Sequence, residues 1–135
     1  MKKITVVLIL ITLFIFSLLF GEDIYYNLVD NSHWNQLNSV INNTKIDEII
    51  LDSELTGNEK SDFISNLNKA EFYKSNWRKI GPTGPVFTIV FKDGSKQYFE
   101  YFGNAIFETS YNNSQFLIKS IEIEQVLKNY NINLN

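Results

Sequence analysis

Residues Pro85–Phe102, PVFTIVFKDGSKQYFEYF, decide the reading of this chain. Phe87, Ile89 and Phe91 alternate with Val86, Thr88 and Val90, the period of a pleated strand whose side chains point to opposite faces. Lys92-Asp93-Gly94 suits a three-residue loop in which Gly94 takes the left-handed conformation and closes a bulge. That loop brings Phe99 and Tyr101 beside Phe87 and Ile89 in one aromatic-aliphatic face. A two-residue turn would oppose that face with Lys96, Tyr98 and Glu100, so the pattern selects the bulged loop. Fully burying each such side chain stabilises by about 1.5–3 kcal/mol, which makes this face the expected core.

On the C-terminal side, Ala105–Tyr111 and Gln115–Lys119 read as a second hairpin across Asn112-Asn113-Ser114, since Asn tolerates left-handed turns. Ser120 then caps a helix with Glu122 and Glu124 in its first turn, where the dipole favours acids. Ile123, Val126, Leu127 and Tyr130 give that helix one apolar face.

On the N-terminal side, Gly81-Pro82-Thr83-Gly84-Pro85 is a loop. It lacks the Lys and Ser or Thr that a phosphate-cradling loop needs after it. Glu71–Ile80 and Lys45–Leu51 read as strands. Thr56-Gly57-Asn58-Glu59 fits a capping box opening a helix over Gly57–Ala70, with Phe63, Ile64, Leu67 and Ala70 on one stripe. Asp30 reads as the N-cap of an earlier helix bearing Trp34, Leu37, Val40 and Ile41 on one face, after an extended segment or linker at Glu22–Val29. The expected fold is α+β: a small antiparallel meander sheet of four to five strands with helices packed on it, preceded by an N-terminal hydrophobic helix.

That first helix is the strongest signal. Lys2 and Lys3 form a positive flank, and Ile4–Phe20 is apolar apart from Thr5, Thr12 and Ser17. Its 17 residues are long for a signal peptide and short for a transmembrane helix. Residues 1–21 are therefore a signal peptide or an N-terminal transmembrane anchor, and 22–135 a single exported domain. The lysines favour the cytoplasmic side. Leu19-Phe20-Gly21 is the best cleavage site, with only Gly21 properly small, and no Cys follows to carry a lipid. The expected localisation is membrane-anchored through residues 4–20 with the domain outside the cytoplasm, or secreted if the segment is cleaved. This organisation has the general look of small exported bacterial proteins.

At 135 residues the chain allows one domain, and 15% aromatic against 20% charged residues gives it enough to bury a core. Without Lys2 and Lys3, ten basic side chains face 15 acidic ones, the opposite of a nucleic-acid binder. Cysteine is absent, so the domain relies on packing and has no thiol chemistry.

Catalytic and metal-binding patterns are missing. His33 is the sole histidine, with Asp30 three residues away; further ligands would all have to be carboxylates. No nucleophile elbow accompanies it. Glu100 and Glu108 can fall together on neighbouring strands, and a hydrolase using them is the least favoured reading. No cofactor is expected. The leading expectation is a non-enzymatic domain that binds another envelope or extracellular protein, in an immunity- or inhibitor-like role for example. The alternative is an envelope ligand-binding module using the Trp77–Pro85 region. The binding candidates are Trp77, Arg78 and Lys79, an aromatic-basic cluster, and Tyr98 and Phe102, which alternate with Glu100 on the face opposite the expected core.

Overall fold

The structure is a computed structural model that describes residues 2–43, 46–77 and 84–134. In chain order they form α1 (Lys2–Asn43), β1 (Ile46–Ile50), α2 (Gly57–Leu67), β2 (Glu71–Ser75), β3 (Pro85–Phe91), β4 (Lys96–Gly103), β5 (Ile106–Tyr111), β6 (Ser114–Lys119) and α3 (Ile121–Asn129). The class is α+β as expected, but the sheet has six strands rather than four to five, in the order β1-β3-β4-β5-β6-β2. All neighbours are antiparallel. Only β3–β6 is a meander. β1 pairs outside β3 and β2 outside β6, so the two earliest strands bracket the other four.

The β3–β4 hairpin forms through the expected loop. Gly94 has φ +79°, and Phe91 donates its N–H to the Ser95 carbonyl at 2.9 Å. Phe87 lies opposite Phe99, with their rings stacked at 4.4 Å, while Ile89 faces Gln97. Val86 sits at a register shift and packs against the core instead of joining the outer face. The second hairpin is tighter than expected. Asn112 and Asn113, at φ +50° and +65°, make a two-residue turn, and Ser114 already pairs with Tyr111.

One face of the sheet carries the core. Phe87, Ile89, Phe99, Phe107, Phe116 and Ile118 meet Trp34, Leu37 and Ile41 of α1, Phe63 and Leu67 of α2, and Ile123 and Leu127 of α3. The Ser120 hydroxyl accepts from the Ile123 N–H at 3.2 Å, capping α3 as expected. The Tyr101 hydroxyl donates to Glu124, tying α3 to β4. Thr56 precedes α2 but makes no side-chain capping bond, because the chain enters through left-handed Gly57 (φ +54°). α2 also ends at Leu67, short of Ala70.

The largest departure is α1. Glu22–Val29 is neither extended nor a linker; one helix runs from the apolar segment into the domain. Asp30 lies within it, so it caps nothing. Its carboxylate instead accepts from the Ser75 hydroxyl, and Asn27 Oδ1 accepts from the Ser75 N–H at 2.7 Å. These contacts hold the middle of α1 against the end of β2, and no Pro interrupts the helix. The side chains of Ile4–Leu19 are exposed to the surroundings along their whole length.

Candidate functional site

Alternation along the strands sends a second set of side chains to the face that carries no helix among the described residues. Ile50, Thr88 and Tyr98 form one row across β1, β3 and β4. Glu100, Glu108, Leu117 and Lys74 form the next across β4, β5, β6 and β2. A shallow depression of about 240 Å³ lies here, lined by Pro85, Tyr98, Glu100, Glu108, Ser110 and Gln115 among others.

Its floor is electrostatically unusual. Glu108 is 5% exposed yet stands directly opposite Glu100. Burial pushes its carboxyl above the ordinary carboxylate value and the neighbouring Glu100 charge adds to this, while a hydrogen bond from Asn76 Nδ2 at 3.1 Å opposes both. Asn76 reaches the site because its backbone N–H continues the β2–β6 ladder to the Gln115 carbonyl at 2.9 Å. Tyr98 stands beside these acids at 51% exposure. A ligand bringing a cation to this floor would relieve the like-charge contact.

Glu100 and Glu108 thus meet as the sequence allows, side by side on neighbouring strands in a shallow depression. A glycosidase pair instead flanks the scissile bond from two sides. His33 does not sit free on a helix surface: its Nδ1 lies 3.0 Å from Ser114 Oγ and 3.8 Å from Asp30 Oδ1. A Ser-His-Asp relay needs one ring nitrogen for each partner, and here both meet the same one.

A second feature lies where α1 crosses the sheet end. Trp77 donates from Nε1 to Asp23 Oδ1 at 3.0 Å and stacks on Tyr26 at 5.1 Å. Beside it a cavity of about 130 Å³ is lined by Tyr26, Asp30, Trp77, Asn113, Ser114 and Gln115. Asp30 is 1% exposed; its Oδ1 and the Oε1 of Gln115 are buried without a hydrogen-bond partner, and His33 Nδ1 lies 3.8 Å from that Asp30 oxygen. A guest matching this cavity carries hydrogen-bond donors or a small positive charge.

The five binding candidates therefore separate. Tyr98 lines the sheet-face depression, and Phe102, half-buried at the register shift between Tyr101 and Gly103, lies outside it. Trp77 belongs to the α1 contact on the far side of β6. Arg78 and Lys79, with the Gly81-Pro82-Thr83 part of the loop, lie outside the described residues. Asn76 and Gln115 went unread as site residues, and Asp30 was weighed only as a metal partner of His33. Asp30 carried a usable signal: with Trp34, Leu37 and Ile41 it falls at i, i+4, i+7 and i+11, the inward face of a continuous helix.

Comparison with protein-family models, with curated proteins and with solved structures returns no match.

Proposed function

We propose that this chain is a membrane-anchored, non-enzymatic protein-binding domain held outside the cytoplasm. Its partner presents a basic side chain between apolar ones to the open sheet face. One observation carries the reading: Tyr98 stands exposed beside Glu100 and buried Glu108 on a face without a covering helix among the described residues. The acids attract a cation, Tyr98 supplies apolar and cation-π area, and a bidentate guanidinium suits two adjacent carboxylates better than an ammonium. An immunity- or inhibitor-like role against an extracellular protein is one concrete form. The anchor rests on an N-terminal helix long and apolar enough to cross a membrane, and the orientation on Lys2 and Lys3.

The test is mild crosslinking of the tagged full-length chain in its own cells, with intact mass recorded, beside Tyr98→Ala and Glu100→Gln. One stoichiometric partner, lost in both variants, supports the reading. A partner retained in both places binding elsewhere, and a mass lacking Met1–Phe20 replaces the anchor with secretion.

The cavity at Asp30 favours a second reading, an envelope ligand module beside Trp77, because a carboxylate residue and two aromatic residues line it together. Saturable stabilisation of the protein by small amines, abolished in Asp30→Asn, would favour it over the first.

A further inference from the structure

The continuity of α1 fixes where the domain meets the membrane, given the anchored reading above. Counting from Ile4, a hydrocarbon core of about 30 Å takes about 20 residues at about 1.5 Å each and ends near Ile24. The headgroup layer adds about 5–7 Å, reaching about Leu28.

The side chains in and beside that window divide by flank. Asp23, Tyr26, Asn27 and Asp30 face the domain, holding Trp77 and Ser75. The outer flank would be expected to turn polar as the helix leaves the lipid. Past the exposed Glu22 it does not: Ile24, Tyr25 and Leu28 are apolar or aromatic and 49%, 61% and 68% exposed. Water is an unfavourable neighbour for them, and no part of the described domain covers them. On the domain flank, Trp77 and Tyr26 present amphipathic rings, the residue types that favour the membrane–water boundary.

We infer that Ile24, Tyr25 and Leu28 on the outer flank, with the Tyr26–Trp77 stack on the domain flank, form a collar in the lipid headgroup layer. The collar seats the domain directly on the membrane. Because the same helix continues into the core, the domain does not swing on a tether, and the sheet is held at a fixed height above the lipid.

The chain has no cysteine, so single substitutions take a nitroxide label cleanly. Full-length protein in phosphatidylcholine vesicles is labelled at Phe14→Cys, Tyr25→Cys, Leu28→Cys or Lys128→Cys. Power-saturation electron paramagnetic resonance then reads collision with oxygen and with a water-soluble nickel complex. All four side chains are exposed, so the labels leave the core undisturbed. The collar predicts nickel accessibility at 25 and 28 several-fold below that at 128, with 14 lower still. Accessibility at 25 and 28 equal to 128, with 14 shielded, keeps the anchor and overturns the seating. A label at 14 as accessible as that at 128 overturns the anchor itself, and the collar with it.

Discussion

The two faces of the sheet are built from alternate residues of the same strands and follow opposite rules. The helix-covered face is aromatic and aliphatic, with the Phe87–Phe99 stack at its centre and Phe63 meeting Phe87 edge-on at 5.0 Å. The open face sets Glu100 against Glu108 and leaves Tyr98 in solvent. The first arrangement has an evident structural purpose. The second places a buried carboxylate beside another acid, an arrangement that the proposed binding role would account for. The lesson is that the packed core and the proposed binding face are separated here by one residue of strand register.

Substitutions on the two faces should therefore differ in size and even in sign. Phe99→Ala empties the centre of the covered face and should cost about 3–5 kcal/mol, read by urea denaturation. Gly94→Val threatens the register itself: the Cβ meets nothing within 4 Å, so its cost comes from φ +79°. A side chain held in the left-handed region costs about 1–2 kcal/mol, and a β-branched one lies at the upper end. Unchanged thermal stability would contradict the bulged loop.

Glu108→Gln should act in the other direction. The amide keeps an acceptor for Asn76 while removing the buried charge, so at pH 7 it should stabilise. The pH dependence follows from the raised pKa. Above it, wild type bears the ionised carboxylate and the variant leads. Below the ordinary carboxylate value both are neutral, and the difference should vanish. A variant that leads equally at low pH would assign the gain to something other than charge. Tyr98→Ala should change stability least, within about 0.5 kcal/mol, and a loss approaching that of Phe99→Ala would make Tyr98 part of the core.

The hairpin at the centre was legible because its register depends on neighbours in sequence: Phe87, Ile89 and Phe91 on one strand, Gly94 in the loop and Phe99 on the next. Ser120 was legible for the same reason. What escaped depends on distant partners. Glu22–Val29 has no strong helical preference of its own, and its contacts come from Ser75 and Trp77, about fifty positions later. The edge places of β1 and β2 follow from pairing with β3 and β6, which no local pattern encodes. Half of the candidate site was visible in Tyr98, Glu100 and Glu108; Asn76 joins only because β2 closes the far edge of the sheet.

The most direct test of the open face uses Tyr98→Cys and a membrane-impermeant maleimide. If the proposed partner occupies the face, modification should be fast in purified protein and slow in the native membrane. Slow modification in both would mean that the chain covers this face itself, and fast modification in both that nothing binds there; either contradicts the account.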